Sequence, residues 1–330
     1  MAASASKAIV MIDEIGSLKN CIAAIDEESM DEQSNPEWAM NFSLFIEKFR
    51  VVYMNLPALY HKSHAAPKRD VGQLIQEYSS KWKWRLDGAD SLIDVGSGPG
   101  DVLIDYIYPL MPPNFTKIIG SDISADMVDY AQRFYHFVEK CEFLTLDIGS
   151  PKPLPQGLQG QFDHVTSMLC LHWVQNHRLA LNNMFKLLRP SGGDCFLIFM
   201  SSHTIFDAYL HINKDPKWSP YITTDVQRFV SPLHGCDQTR DVFTQMMEDE
   251  GFCEIEADLR PRSINYGTVE NFKENIKSVC GLIDFIPKSK QDEFMDDFVA
   301  AKTGDLSDSQ SKCSMKYDLL IAYGRKTVTI

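Results

Sequence analysis

The sequence predicts an α/β fold, in which a mostly parallel sheet carries helices on both faces. From Ser91 onward, short runs rich in Val, Ile and Phe alternate with segments of helical period. Strands separated by helices of this length form a parallel sheet that is covered on both sides. The stretch SLIDVGSGPGDVL, residues 91–103, opens this region with three glycines at alternate positions. A strand, a glycine-rich turn and a helix in this order are typical of nucleotide binding, because the helix N-terminus offers free N–H groups.

Seven strands are predicted along the chain. They are Ser91–Gly96, Lys117–Asp122, Glu142–Asp147, His164–Met168, Asp194–Met200, Phe252–Asp258 and Tyr317–Tyr323. The clearest helix runs from Ser124 to Val138, with Ser124 as its N-cap. Its predicted apolar face consists of Met127, Val128, Ala131, Phe134, Tyr135 and Val138.

Two helical insertions interrupt the strand pattern in the second half of the chain. The first, at about residues 201–240, carries Ile205, Phe206, Tyr209, Trp218 and Phe229. The second, at about residues 268–305, carries Phe272, Ile276, Val279, Phe294 and Phe298. Open α/β sheets bind their ligands beyond the carboxyl ends of the strands, so we expect these apolar segments to cover a pocket there.

Composition and charge argue against several classes of partner. The formal net charge of −13 argues against nucleic acid and against an anionic membrane surface. The basic and aromatic cluster Lys81-Trp82-Lys83-Trp84 is the exception, and we interpret it as the end of an amphipathic helix.

The eight cysteines are spaced singly, which predicts reduced thiols rather than a zinc site. Without a signal peptide or an apolar segment of about 18 residues, we expect a cytoplasmic protein.

Four aspartates bear on the choice between a dinucleotide and S-adenosylmethionine as the ligand of the glycine turn. A dinucleotide motif needs a third glycine at the position of Asp101, where a carboxylate would repel phosphates. Asp94 instead suits the sulfonium and ammonium groups of S-adenosylmethionine. Asp122 ends the second strand and can accept hydrogen bonds from ribose hydroxyls, and Asp147 ends the third strand, where an adenine amino group would lie. Asp122 and Asp147 each also have a structural alternative: Asp122 could cap a helix, and Asp147 could simply end a strand.

Five segments of the chain resemble the insect juvenile hormone acid O-methyltransferases in order and spacing. They are LIDVGSGPGDVL, DISADMVDYA, FDHVTSMLCLHWVQN, GGDCFL and FVSPLH. The resemblance runs from about Met54 to Lys326 and is most specific in the LHW and FVSPLH segments. It implies a seven-stranded class I methyltransferase fold with helical lid insertions and S-adenosylmethionine as cofactor. It also implies methyl transfer to the carboxylate of farnesoic acid or juvenile hormone acid, a step of juvenile hormone biosynthesis.

The resemblance further implies a set of site residues. The expected cofactor-binding positions are Asp94, Gly96, Ser97, Gly98, Asp122, Ile123, Asp147, Ile148 and Leu169. Trp173 is expected to direct its indole N–H at the substrate carboxylate, with His172 beside it. A carboxylate has a reference pKa near ~4 and needs no general base at neutral pH. We therefore expect His172 to orient or pack rather than to accept a proton, and no metal is predicted.

One departure from the family pattern leaves the substrate open. Pro67 replaces a family Gln that helps to hold the substrate carboxylate, although residues 59–60 and 68–70 match the surrounding pattern. Proline has no side-chain donor. Two alternatives follow: another fatty or isoprenoid acid is the substrate, or the chain is a non-catalytic lipid-binding relative.

The other departure is an N-terminal extension, residues 1–53, ahead of a methyltransferase domain at residues 54–330. The acidic stretch DEESMDEQSNP predicts a solvated tail. Trp38 to Val52 shows helical spacing and predicts a short helix, which lies on the domain or binds a partner. Because MNLPALY resembles the start of family members, we expect the extension to be an artefact of start-codon assignment rather than an appendage. A monomer and a homodimer both stay open.

Overall fold

The computed structural model describes residues 65–303 and 314–327. The strands in these ranges form one seven-stranded sheet. The strands are β1 (Ser91–Val95), β2 (Lys117–Asp122), β3 (Cys141–Thr145), β4 (His164–Met168), β5 (Gly193–His203), β6 (Cys253–Asn265) and β7 (Ser314–Lys326). Their order across the sheet is β3-β2-β1-β4-β5-β7-β6. The first five strands pair in parallel, and β7 runs antiparallel to both β5 and β6. This mixed, mostly parallel sheet confirms the predicted fold class.

Helices cover both faces of the sheet. Within the described residues they are α1 (Ala65–Tyr78), α2 (Ala125–Phe134), α3 (His177–Leu187), α4 (Thr204–Ile212), α5 (Thr239–Asp249), α6 (Val269–Val279) and α7 (Gln291–Thr303). Apolar residues of α1 and α2 join one core cluster with one face of β1 and β2. Those of α3 and α5 join a second cluster on the opposite face. Alternation of side chains along each strand supplies both clusters, as a sheet buried on both faces requires.

The predicted strands agree with the structure in position but not always in length. The predicted bounds of β2 and β4 are confirmed, and β1 ends one residue earlier than expected. β3 begins and ends earlier, so that Asp147 lies in the loop two residues beyond Thr145. β5 is also longer than predicted, and β6 and β7 are much longer, because they continue to pair with each other as far as Asn265 and Ser314, beyond the last β5 pair at His203.

The predicted cap of α2 is confirmed, but one member of its predicted apolar face is wrong. The hydroxyl of Ser124 accepts a hydrogen bond from the backbone N–H of Met127 at 3.3 Å. The helix ends at Phe134, four residues before Val138, and the Phe134 side chain is 55% exposed. Because the chain leaves the helix here, the next residue, Tyr135, turns into the core instead and stacks on Phe143.

The two predicted insertions form a third apolar cluster of their own, which we call the cap cluster. Its buried members from the predicted set are Ile205, Phe206, Tyr209, Trp218, Phe272, Ile276, Phe294 and Phe298. Phe229 packs against it partly buried, and Val279 lies outside the side chains that the structure describes. The indole of Trp218 donates a hydrogen bond to Asp297 of α7 at 2.9 Å. The cap cluster begins where β5 ends, at the edge where the parallel strands have their carboxyl ends.

The basic and aromatic cluster at residues 81–84 is a structural element at the opposite edge of the sheet. The cluster does not end the helix: Lys81 closes a 3₁₀ turn that follows α1, and Trp82, the next residue, is buried. The rings of Trp82 and Trp84 pack on His164, the first residue of β4. The two ring nitrogens of His164 meet Asp194 at 2.6 Å and Asp90 at 2.9 Å. Burial opposes the charged imidazole, but these two carboxylates outweigh it and raise the pKa of His164 to about 9.

Several sequence expectations lie outside the described residues. They are the N-terminal extension at residues 1–53 with its helix, the match at residues 59–60, and the thiols of Cys21 and Cys313. The cysteines that the structure describes are free. No helix in the described part of the chain is both long and apolar enough to cross a membrane.

Candidate active site

The topology places the candidate site between β1 and β4. The strand order changes direction there, because β1 continues to β2 on one side and neighbours β4 on the other. Open α/β sheets bind ligands at such a point, outside the carboxyl ends of the strands. The glycine turn follows β1 and the LHW segment follows β4. The two motifs therefore meet at one edge of the sheet.

The glycine turn after β1 has a backbone that only glycine adopts easily. Gly96 has a φ of 73°, and a Cβ atom there would lie 2.1 Å from the sulfur of Cys170. The backbone N–H groups of Gly96 and Ser97 both donate to the carbonyl of Ser121, at 2.7 and 2.8 Å. The turn is thus packed against β2 and against Cys170, beyond the end of β4, and leaves its outer side to a ligand.

Asp94 is buried beneath this turn with half of its carboxylate unpaired. Its side chain accepts a hydrogen bond from the Thr166 hydroxyl at 2.7 Å through Oδ1. The other oxygen, Oδ2, is buried without a hydrogen-bond partner among the described residues. Burial, reinforced by the neighbouring Asp122, raises the pKa of Asp94 to about 7 despite the bond from Thr166. A buried carboxylate oxygen without a donor fits a cationic ligand such as the ammonium or sulfonium of S-adenosylmethionine.

Asp122 performs the structural role foreseen for it and also holds the glycine turn. One carboxylate oxygen accepts from the backbone N–H of Ser124 and the other from that of Gly98, each at 2.9 Å. Burial raises the pKa of Asp122, although these N–H donors oppose the shift. The next residue, Ile123, is 64% exposed. An apolar side chain left open beside the turn can support the flat face of a nucleobase.

Asp147 and Ile148 are less closely tied to the turn than the sequence suggests. The exposed Asp147 carboxylate accepts from the backbone N–H of Gly149 at 2.9 Å, which closes a local turn. The Ile148 side chain is buried in the core, and its carbonyl accepts from Asn183 at 2.9 Å. The structure therefore gives both residues a packing or turn role and brings neither side chain into the lining described next.

A depression at the glycine turn brings together five of the predicted cofactor positions, whereas Asp122 and Ile123 lie outside its lining. It is lined by Asp94, Gly96, Ser97, Gly98 and Leu169, together with four residues the sequence did not single out as binding positions, Pro99, Asp101, Val102 and Met168. Leu169 has a φ of 56°, a left-handed conformation that costs a non-glycine residue about 1 kcal/mol or more. The backbone is therefore strained between β4 and the LHW segment.

The carboxylate of Asp101, at the start of the following helical segment, is neutralised by α1. Lys68 Nζ lies 2.6 Å from Asp101 and 2.7 Å from Asp105. Burial opposes the charge on the lysine, but these bonds outweigh it and raise the pKa of Lys68. Lys68 lies 33 residues before Asp101, so local spacing cannot reveal the pair. Pro67 beside it is buried and presents no donor.

The LHW segment forms a single 3₁₀ turn, Leu171–Trp173, after β4. Trp173 is half-buried, and no residue in the described part of the chain accepts a hydrogen bond from its indole N–H. His172 is buried, with its ring centre 4.8 Å from that of Trp173. Burial, with smaller contributions from His203 and His177, lowers the pKa of His172 to about 3. The imidazole is therefore neutral at physiological pH and a weak base.

The sheet order and the glycine turn are those of a class I methyltransferase, and the unpaired buried aspartate fits S-adenosylmethionine as its cofactor. Residues 93–196 match the family described as a methyltransferase domain. In structure the chain is similar to the YcgJ protein of Bacillus subtilis, with a TM-score of 0.49 at 14% identity, over 77% of this chain and 97% of that one.

Two relatives narrow the class to one family. A juvenile hormone acid O-methyltransferase of Drosophila melanogaster is 39% identical over 280 residues, which cover 83% of this chain and 93% of that protein. One of Bombyx mori is 35% identical over 247 residues, covering 74% and 85%. The chain belongs to the juvenile hormone acid O-methyltransferase family, as the sequence segments predicted, and it is an S-adenosylmethionine-dependent O-methyltransferase.

Proposed function

We propose that the protein methylates the carboxylate of farnesoic acid or juvenile hormone acid. The observation that carries this proposal is the burial of His172, the histidine in contact with Trp173, which leaves its imidazole neutral and weakly basic. With a pKa lowered to about 3, it is a poor proton acceptor. An alcohol, phenol or ammonium group would need such an acceptor before it could attack a methyl group. A carboxylate arrives already anionic, and the acid named for both relatives offers one.

The cofactor is held at the glycine turn in this proposal. Asp94 pairs its buried Oδ2 with a cationic group, and Gly96, whose missing side chain lets the turn pack on Cys170, lines the depression that receives the ligand. Asp122 offers carboxylate lone pairs to the ribose, and Ile123 an apolar surface to the adenine. Ser97, Gly98 and Leu169 line the same depression, while Asp147 and Ile148 stay predictions of the sequence, outside that lining. When bound, S-adenosylmethionine supplies an electrophilic methyl carbon bonded to its sulfonium.

Trp173 aligns the acceptor. Its indole N–H donates to one carboxylate oxygen and leaves the other free to attack, while neutral His172 packs against the ring. Holding the reacting atoms about 3 to 3.5 Å apart and in line lowers the barrier by several kcal/mol, up to about 7 to 11 in favourable cases. The cap cluster encloses the isoprenoid chain, and each buried CH₂ contributes roughly 0.8 kcal/mol to binding.

Another fatty or isoprenoid acid is the second candidate, because Pro67 supplies no donor for the second carboxylate oxygen. A panel of acids of different chain length tests it with the wild type and Pro67→Gln. If juvenile hormone acid or farnesoic acid is the natural acceptor, one of these gives the highest kcat/KM in both proteins. A preference for a plain fatty acid supports the second candidate. The third sequence-based alternative, a non-catalytic lipid-binding protein, is not retained, because the chain belongs to an enzyme family.

Location and assembly are further parts of the proposal. The free cysteines among the described residues support a reducing compartment, and we assign the protein to the cytoplasm. The acidic charge supports a small-molecule partner rather than nucleic acid. The protein acts as a monomer or a homodimer.

Label transfer from methyl-labelled S-adenosylmethionine to farnesoic acid or juvenile hormone acid tests the activity. We expect a methyl ester from the wild type, and at least a tenfold lower kcat/KM in Trp173→Ala. Trp84→Phe is the matched control, because Trp84 packs on His164 at the opposite edge of the sheet. Product no higher than in a boiled sample, at saturating acid and cofactor, contradicts the proposal.

A further inference from the structure

The FVSPLH segment, residues 229–234, has no part in the chemistry described so far, although it is one of the most specific motifs of the chain. It follows a 3₁₀ turn, Val226–Phe229, and passes from one core to another. Val230 is buried in the cap cluster, whereas Leu233 is buried in the second core cluster, on the face of the sheet that α3 and α5 cover. The segment therefore joins the cap cluster to the methyltransferase sheet.

The same segment contacts the loop that carries Trp173. Gln175 lies two residues after Trp173, and its side-chain amide donates to the carbonyl of Val230 at 3.2 Å and to that of Arg228 at 3.4 Å. One carbonyl of the FVSPLH segment and one of the 3₁₀ turn before it thus hold the end of the loop that carries Trp173. Any shift of residues 228–230 moves the acceptors on which Gln175 depends.

His234 fixes the far end of the segment between β5 and α4. Its Nδ1 lies 3.2 Å from the hydroxyl of Ser202, and its Nε2 lies 3.0 Å from a carboxylate oxygen of Asp207. Because a carboxylate only accepts hydrogen bonds, Nε2 donates to Asp207. The imidazole side chain is 10% exposed and its ring packs edge-on against Phe206. One side chain therefore ties the segment to the strand and to the helix that follows it.

These three side chains have the composition of a hydrolase triad but not its environment. In such a triad a buried carboxylate orients the histidine, and the serine faces the other ring nitrogen. Here the carboxylate of Asp207 is 66% exposed. The arrangement is therefore a structural pair of hydrogen bonds made by His234, of which the one to Asp207 lies at the surface.

We propose that His234 is a positioning residue for methyl transfer. It holds the FVSPLH segment on β5 and α4, and the segment in turn holds the Trp173 loop through Gln175. This inference rests on the proposed function, because it assigns Trp173 to the acceptor. It predicts that loss of His234 disturbs the alignment of the acid and leaves the cofactor site, at the glycine turn, unchanged.

The test compares His234→Ala, His234→Asn, His234→Gln and Gln175→Ala in the full chain. A misalignment of about 1 Å can cost up to about 100-fold in rate, so we expect kcat with the acid to fall at least fivefold in His234→Ala. The dissociation constant of S-adenosylhomocysteine should stay within twofold. Asn and Gln each retain one of the two bonds, by placing an amide near Nδ1 or Nε2, and should restore part of kcat. Gln245→Ala is the matched control, since this exposed amide bonds only within α5.

A double-mutant cycle with Trp173→Phe distinguishes positioning through Trp173 from a general effect on folding. If His234 acts through Trp173, His234→Ala lowers kcat much less in the Trp173→Phe background than in the wild type. Full additivity overturns the inference, as does a kcat within twofold of wild type in both His234→Ala and Gln175→Ala. Should His234→Ala fail to fold, Gln175→Ala decides alone, because Gln175 is exposed. A wild type that methylates no acid refutes the proposed function instead.

Discussion

Asp94 makes cofactor affinity depend on pH near neutrality. Its pKa in the free protein is about 7, because burial destabilises the carboxylate. A cation bound at Oδ2 stabilises the ionised form, so binding expels the proton that Asp94 carries. Affinity therefore falls as the pH falls, with a slope that approaches tenfold per pH unit well below the pKa of Asp94.

The size of the effect follows from the fraction of Asp94 that is ionised. With a pKa of about 7, that fraction is about one eleventh at pH 6, one half at pH 7 and ten elevenths at pH 8. The dissociation constant is inversely proportional to this fraction, so it rises about tenfold from pH 8 to pH 6. Binding at pH 7 releases about half a proton per site.

Calorimetry with S-adenosylhomocysteine, which keeps the ammonium group, measures both the dissociation constant and the number of protons released. Titrations in two buffers of different ionisation enthalpy give the number of protons released. Asp94→Asn should abolish the pH dependence and weaken binding by about 2 to 5 kcal/mol, because an amide leaves the cation unpaired. Thr166→Val removes the hydrogen-bond donor that favours the ionised carboxylate of Asp94. It should shift the midpoint of the pH dependence of the dissociation constant to higher pH. A dissociation constant that is constant between pH 6 and 8 in the wild type would refute this reasoning.

Three other perturbations have defined outcomes. The charged His164 stabilises the fold fully below pH 6.5, and urea unfolding should show about 3 kcal/mol lost as the pH rises through 9, with no such loss in His164→Gln. Gly96→Ala forces a Cβ onto Cys170 and should lower cofactor affinity at least tenfold, whereas Gly157→Ala, with open space around it, should bind normally by dialysis. Lys68→Met should lower the free energy of unfolding by about 2 kcal/mol, partly recovered in the double variant with Asp101→Asn. Equal unfolding midpoints for Lys68→Met and wild type would contradict the last expectation.

The local sequence pattern predicts the bounds of strands and helices well where one physical cause dominates. β2 and β4 are short strands within the sheet, and their predicted bounds agree with the structure. The Ser124 cap also depends only on neighbours three residues away. Phe134 was misplaced because helical spacing cannot show that the chain leaves the helix at that residue. β6 and β7 exceed their predicted lengths because their outer halves pair with each other, a long-range contact.

The candidate site divides in the same way. The glycine turn and Asp94 are adjacent in sequence, and their type and spacing predict their place at the end of β1. The partner of Asp101 is on a helix 33 residues earlier, and the carbonyl that holds Gln175 is 55 residues after it, at Val230. Neither pairing leaves a trace in local spacing, and both depend on how the helices pack over the sheet.

The insertion of β7 between β5 and β6 sets the order in which the protein is completed during synthesis. β6 has no neighbour in the described sheet other than β7, which begins 49 residues after β6 ends. By contrast, β1 to β5 pair only among themselves until β7 arrives on the outer side of β5. The half that binds the methyl donor can therefore assemble while the nascent chain still grows, and β7, the last strand in the described part of the chain, completes the sheet.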